Sequence, residues 1–209
     1  MNIIEELTEY FRKFPGVGPR QANRFVYYLL KQNPSLSKEI SKKISSLHNE
    51  VIICSECCQH FISRNSDVSQ KKVGKCDICK SPNRNKKKLL IVSHDVDLKA
   101  IEKSNTYDGK YFVLGGSVPI TWDNPERIIR IKELISRLEI IAIELDEIIL
   151  ALSANPEGEN TGEIIVDKIK HMTEKNNIKI SLLGRGLSTG TEIEYSDSET
   201  LKNALKNRY

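Results

Sequence analysis

No stretch of this 209-residue chain stays apolar for the roughly 18 residues that a bilayer-spanning helix needs. The longest candidate, around Ile140–Leu152, is interrupted by Glu144, Asp146 and Glu147. The opening MNIIEELTEYF carries acids where a signal peptide wants a basic segment, so neither secretion nor membrane insertion is expected. The phosphate-loop pattern GxxxxGK followed by Ser or Thr is missing, and with it the usual equipment for nucleotide hydrolysis. Internal repeats and low-complexity linkers are missing too. Cysteine is confined to one window: all five lie between Cys54 and Cys79. An odd, clustered set in a chain without a secretion signal argues for a metal before disulfides.

What is there describes a folded chain. Hydrophobic residues at 39% and charged residues at 29% exclude a disordered class, and 23.8 kDa gives room for one ordinary domain or two or three small ones. The net charge of +4 hides a division. Residues 1–90 hold 17 Lys and Arg against 8 Asp and Glu, a formal +9, whereas residues 91–209 hold 15 against 20, a formal −5. A basic front half suggests an anionic partner for that half alone, with nucleic acid ahead of an acidic protein surface.

Ile3, Ile4, Leu7, Tyr10, Phe11 and Phe14 recur at helical steps, and Pro15-Gly16-Val17-Gly18-Pro19 ends that helix. Pro19 suits the first position of a second helix, whose buried stripe is Ala22, Phe25, Val26, Leu29 and Leu30. A third helix is expected from Ser37 to about Ile52. Residues 53–88 hold little apolar material and need a staple. From Lys88 onward strands alternate with helices. LLIV (89–92), KYFVLGG (110–116), EIILAL (147–152) and IKISLL (178–183) read as strands; Val96–Lys103, Pro125–Ile141 and Gly162–Lys175 read as helices. Continuous apolar strands in that alternation predict a mostly parallel sheet covered on both faces. The tail reads as one more extended piece, TEIEYSD, and a closing helix capped by Ser198.

Three elements carry chemistry. A Gly-rich turn between two helices exposes backbone N–H groups at the start of the second, where anions are attracted, and Arg20 and Arg24 lie four apart on the face beside them. Phosphate binding by Gly16, Gly18, Arg20 and Arg24 is therefore expected; the plainer reading is a helical corner with solvated arginines. Cys54-x2-Cys57 and Cys76-x2-Cys79, 18 residues apart, carry the spacing of a four-thiolate Zn2+ site, with disulfides or unpaired thiols as the plainer readings. Cys58 is the spare and is able to replace Cys57, although the symmetric spacing favours Cys57; His60 reads as a surface residue. A closed four-ligand site is structural. The third element is acidic: Asp95 and Asp97 after the first sheet strand, Glu157 and Glu159 after the third, placed to hold Mg2+ or else to serve as solvated acids at helix N-termini. Gly184-Arg185-Gly186 with Ser188-Thr189-Gly190 resembles a phosphate-friendly loop. Lys86-Lys87-Lys88 reads as a solvated edge and Trp122 as loop packing.

The order helix–PGVGP–helix, four-cysteine module, α/β sheet resembles the bacterial recombination mediator family RecR over essentially the whole chain. FRKFPGVGPRQANRFVYYLL (11–30) is similar to its helix-hairpin-helix, CDICKSPNRNKKKLLIV (76–92) to the run from its second cysteine pair into the sheet. EIILALSANPEGENTG (147–162) and GRGLSTGTEIEYSDSETL (184–201) are similar to its Toprim core and C-terminal segment. The resemblance implies an α/β fold with a small all-α N-terminal bundle, divided at 1–52, 53–87, 88–186 and 187–209 (the last a strand and helix). It implies a cytoplasmic, nucleoid-associated, non-enzymatic DNA-binding clamp that forms a homo-oligomer, a dimer or ring tetramer. Such a clamp binds duplex and gapped DNA without sequence preference. It works with RecO, and in some bacteria RecF, to help RecA replace single-strand-binding protein. By position Arg20 and Arg24 would contact DNA, Cys54, Cys57, Cys76 and Cys79 would hold one Zn2+, and Glu157 and Glu159 would face RecO.

The chain departs from the pattern in places. Ser93-His94 stands where catalytic Toprim domains end their first strand with Glu, and Ser153 and Asn155 stand in place of their Asp-x-Asp. The loop VPITWDNPER (118–127) replaces one rich in Asp-Gly-Ile-Gly, and Arg185 stands where some relatives carry His. Two other classes stay open: a Mg2+-dependent Toprim nuclease or topoisomerase using Glu157, Glu159 and Asp97, and a DNA-independent protein scaffold.

Overall fold

Asn2 opens the first helix with a reciprocal cap: its side chain accepts from the Glu5 amide at 3.0 Å, and the Glu5 carboxylate accepts from the Asn2 amide at 3.0 Å. Helix α1 (Ile3–Arg12) turns into α2 (Pro19–Lys31), and α3 (Pro34–Glu50) follows. Phe11 meets Phe25 edge-on, with ring centroids 5.7 Å apart, and this contact joins α1 to α2. The computed structural model describes residues 1–62, 73–122, 124–184, 186–187, 190 and 192–206; the side chains of Val73 and Glu199 are outside that set. Arg185, Ser188 and Thr189 of the glycine-bearing loop also lie outside the described residues. The chain divides into two compact units, Met1–Ile52 and Ile53–Tyr209.

Strands β1 (Val51–Cys54), β2 (His60–Ile62) and β3 (Val73–Gly74) form a small sheet in the order β2-β1-β3, and the one-turn helix α4 (Asp77–Lys80) follows. The main sheet takes the order β5-β4-β6-β7, built from β4 (Asn85–Val92), β5 (Gly109–Val113), β6 (Glu147–Ala151) and β7 (Lys179–Leu182), and every neighbouring pair is parallel. The crossovers are α5 (Asp95–Ser104), α6 (Ile131–Ile141) and α7 (Pro156–Asn176).

Side-chain alternation along the strands makes two cores. Leu89, Ile91, Phe112, Ile148 and Leu150 face α6 and α7, where Leu134, Leu138, Ile165 and Ile169 cover them. Leu90, Val92, Tyr111 and Val113 face the other way, onto Leu98 of α5 and onto Cys54, Cys57 and Cys76. The parallel sheet covered on both faces is thus the observed architecture, and the cysteine module covers one side together with α5.

Several boundaries differ from the sequence reading. Helix α3 starts at Pro34 and α7 at Pro156, both earlier than expected, because Asn33 and Asn155 cap them with Pro at the first helical position. Asn33 accepts from the Ser35 amide at 2.9 Å and Asn155 from that of Gly158 at 2.8 Å. The single helix expected over Pro125–Ile141 is broken. A 3-10 turn, Pro125–Arg127, precedes α6, and the Arg130 amide between them donates to Leu114 O at 2.9 Å. The extended piece expected in the tail is a 3-10 turn at Ile193–Tyr195. Among the described residues it has no strand beside it, so local bonds such as Tyr195 N to Glu192 O at 3.1 Å satisfy the backbone. The closing helix α8 (Ser198–Lys206) is capped by Asp197, not Ser198: the Asp197 carboxylate accepts from the Thr200 amide at 2.9 Å.

Candidate metal centre and nucleic-acid interface

Two short turns bring four cysteines to one point. Cys54 ends β1, and its carbonyl accepts from the Cys58 amide at 3.0 Å, closing a turn that carries Cys57. Cys76 caps α4, and its carbonyl accepts from the Lys80 amide at 3.0 Å, closing a second turn that carries Cys79. The four sulfurs lie within 4.8 Å of one another, and Cys57 Sγ and Cys76 Sγ are 3.6 Å apart. Amides are aimed at the sulfurs as well, from Cys76 N to Cys54 Sγ and from Cys79 N to Cys76 Sγ, both at 3.4 Å. Cys54, Cys57 and Cys76 are buried and Cys79 partly so.

The donor chemistry fits a divalent ion held by four thiolates. Crowding splits the thiols' proton affinities. Hydrogen bonds from Cys57, Cys76 and Cys79 hold Cys54 far below the ordinary thiol range, and the reciprocal bond to Cys54 raises Cys57. All five cysteines are free of disulfides. Cys58 does not join the cluster. Its backbone sits in the left-handed region at φ 60°, which turns its side chain to the opposite face of the sheet, among Leu89, Phe112 and Leu138.

Long-range ties seat this knuckle on the sheet. The Val113 amide, on the open edge of β5, donates to Cys57 O at 2.8 Å. Arg130 Nη1 donates to Cys58 O at 2.9 Å and Val113 O at 3.2 Å. Glu56 pairs with Lys75 at 2.6 Å and Arg137 at 3.2 Å. Burial pushes the Glu56 carboxyl up, but those two cations outweigh it and hold it below the usual range. A second network lies alongside: Arg84 donates to Glu102 Oε1 at 2.9 Å, and Tyr111 donates to the same oxygen at 2.6 Å. None of these ties has a local sequence signal, because each joins residues distant in the chain; Arg130 and Cys58 are 72 apart.

The acidic set is scattered among structural duties. Asp95 accepts from the His60 amide at 2.7 Å and meets His60 Nδ1 at 2.8 Å, so exposed His60 is a bridge between the knuckle and α5. Asp97 accepts from the His94 amide at 2.8 Å as a cap of α5. Ser93 is buried against the Ser117 hydroxyl at 3.2 Å, Asn155 is occupied as the α7 cap, and Glu157 and Glu159 stand exposed in the first turn of α7.

In the first unit the turn after α1 is closed by Val17 N to Phe14 O at 3.1 Å, with Gly16 in the left-handed region at φ 75°. Gly18 is the N-cap of α2 at φ −79°, a conformation open to any residue. No side chain caps α2, no acid lies in its first turn, and Arg20 and Arg24 are exposed. The result is a positive helix N-terminus beside two exposed guanidinium groups that, among the described residues, have no ion-pair partner.

Cysteine knuckle, helical hairpin and parallel sheet together define a Toprim-containing protein with a helix-hairpin-helix. Family profiles agree: residues 4–47 match the RecR helix-hairpin-helix, 87–183 the Toprim domain, and 186–209 the RecR C-terminal segment. The recombination protein RecR of Prochlorococcus marinus strain AS9601 is 35% identical over 98% of this chain and 94% of its own. That of Herpetosiphon aurantiacus is 32% identical over 98% and 93%, and that of Lactobacillus helveticus 36% over 98% and 96%. The chain belongs to the RecR recombination protein family.

Proposed function

We propose that this protein acts in recombinational DNA repair as a non-enzymatic clamp subunit that binds duplex and gapped DNA without sequence preference. It works with a RecO-like protein, and a RecF-like one where present, to help RecA replace single-strand-binding protein. The observation that carries the reading is the uncapped start of α2 beside exposed Arg20 and Arg24. Backbone N–H groups and two cations there suit phosphates, which every sequence offers alike. The metal is Zn2+, one per chain and structural, since four thiolates leave no open position. The domain scheme is 1–52, 53–87, 88–186 and 187–209, and exposed Glu157 and Glu159 face the RecO-like partner. A cytoplasmic, nucleoid-associated location follows from the role; no described helix is long and apolar enough to cross a membrane.

Homo-oligomer formation is supported by the first unit. An apolar groove of about 790 Å³ is lined by Leu7, Phe11, Val26, Leu29, Ile40 and Ile44, and three helices leave it open. A second copy, as dimer or ring tetramer, is the occupant we assign to it.

Non-enzymatic action is supported by Ser93, Ser153 and Asn155 at the positions where a Toprim Mg2+ site needs acids. Gel shifts of the wild type and of Arg20→Ala with Arg24→Ala, at low and moderate salt, test the reading. The double variant should bind more weakly on every sequence and with a shallower salt dependence. Wild-type affinity in that variant would remove the proposed interface. Nicking of supercoiled plasmid with Mg2+ or Mn2+, abolished by Glu157→Gln, would favour an enzyme instead.

A further inference from the structure

Strand β5 runs along the edge of the main sheet and is buried throughout, yet its second residue is a lysine only 9% exposed. Lys110 Nζ donates to Cys79 O at 3.0 Å and to Ile78 O and Ser81 O at 3.3 Å. Three carbonyls use all three ammonium protons. They come from one place, the end of α4, which carries Cys79 and whose cap is Cys76. The lysine's own carbonyl is fixed by the Tyr107 hydroxyl at 3.1 Å. Among the described residues no carboxylate lies within ion-pairing distance of this ammonium, whereas Arg137 and Lys75 are both taken by Glu56 and Arg84 by Glu102.

A buried cation bonded only to neutral carbonyls needs a negative charge in its surroundings to be tolerated. Four thiolates around a divalent ion carry a net charge of about −2, and they are the strongest negative centre attached to those peptides. We propose that Lys110 is the resident counter-charge of the four-cysteine centre: its ammonium offsets the excess thiolate charge from beneath the knuckle and so raises the affinity for Zn2+. Lys110 is a positioning residue that touches the ligand-bearing peptide, not the metal. Exposed Lys80, one residue beyond Cys79, is shielded by water and does not share the role.

The inference rests on the four cysteines holding Zn2+, and the test separates the two claims. Zn2+ affinity is measured by competition with a chromophoric chelator for wild type, Lys110→Met, Lys110→Gln and Lys80→Met. Thermal unfolding is followed with and without Zn2+. The glutamine amide is one atom shorter and offers two N–H donors in place of three, and it carries no charge. Lys110→Met and Lys110→Gln should both bind Zn2+ about 10- to 100-fold more weakly, the range for outer-shell partners of metal ligands, while Lys80→Met stays within about twofold. Their loss of thermal stability should be larger with Zn2+ than without it. Wild-type affinity in Lys110→Gln would overturn the charge role, as would an equal loss of stability with and without the metal. A wild-type protein that binds no Zn2+ would instead fail the metal assignment itself.

Discussion

Arg130 Nη1 lies 2.9 Å from the carbonyl oxygen of Cys58 and 3.2 Å from that of Val113, so one guanidinium clamps the knuckle onto the edge of the main sheet. The left-handed backbone at Cys58 is what turns that carbonyl away from the sulfur cluster and toward Arg130. The same residue interrupts the helical pattern between Pro125 and Ile141, because its amide is drawn to Leu114 O.

Arg130→Met therefore leaves two carbonyls without their charged donor. The expected cost is about 1–3 kcal/mol of stability, with Arg130→Lys recovering only part because an ammonium lacks the guanidinium's fixed fork. Urea unfolding in the presence of Zn2+ measures it. An unmoved midpoint in Arg130→Met would show that the remaining ties, Val113–Cys57, Glu56–Arg137 and His60–Asp95, seat the knuckle without it.

Adjacent cysteines should behave oppositely. On the proposed four-thiolate site, Cys57→Ala removes a ligand and should abolish stoichiometric Zn2+, whereas Cys58→Ala trims only the apolar core that also holds Phe112 and should keep one ion per chain. Elemental analysis after gel filtration decides, and Zn2+ loss in Cys58→Ala would reassign the ligands.

The two turn glycines should part company too. Gly16 has φ 75°, so Gly16→Ser should cost about 1–2 kcal/mol and weaken DNA binding. Gly18 has φ −79° and a side chain there would meet open space, so Gly18→Ser should be neutral or stabilising by about 0.5 kcal/mol through a new N-cap. Thermal melts of both variants, followed by gel shifts, check this; equal damage would mean the turn differs from the one described.

Glu102 supplies a pH signature. Burial raises its carboxyl, but hydrogen bonds from Arg84 and Tyr111 outweigh that and hold it below the usual range. Because the folded value is the lower one, its stabilisation is present above the unfolded pKa of about 4.3 and is lost as pH falls through the folded value. Glu102→Gln should be less stable than wild type by about 1–3 kcal/mol near neutral pH, and the gap should close below about pH 4. Denaturant titrations across that range test the sign, and a gap independent of pH would contradict it.

Much of the fold was legible in the chain. The four strands, the two CxxC turns and the helix-Pro-Gly-helix corner each follow from patterns among residues close in sequence: apolar runs, cysteine spacing and Pro-Gly turn chemistry. Boundaries were less so. Asn33-Pro34 and Asn155-Pro156 are helix starts whose signal is local, yet the sequence reading began those helices later, at Ser37 and Gly162. Gly158 belongs because a side chain at that position would strike Ser153 O at 2.0 Å. Asp95 and Asp97 resembled a cation site only until His60 and the His94 amide claimed them.

By itself the chain determined what short range can determine: hydrophobic period, turn chemistry and the spacing that lets two sulfurs reach one point. Tertiary structure alone decided where the spare Cys58 packs, and which lysine is buried beside the four-cysteine cluster. It alone decided that an arginine 72 residues away holds the two together. Those outcomes depend on carbonyls and charges that meet only after the sheet has formed, when burial removes water and every polar group must find a partner.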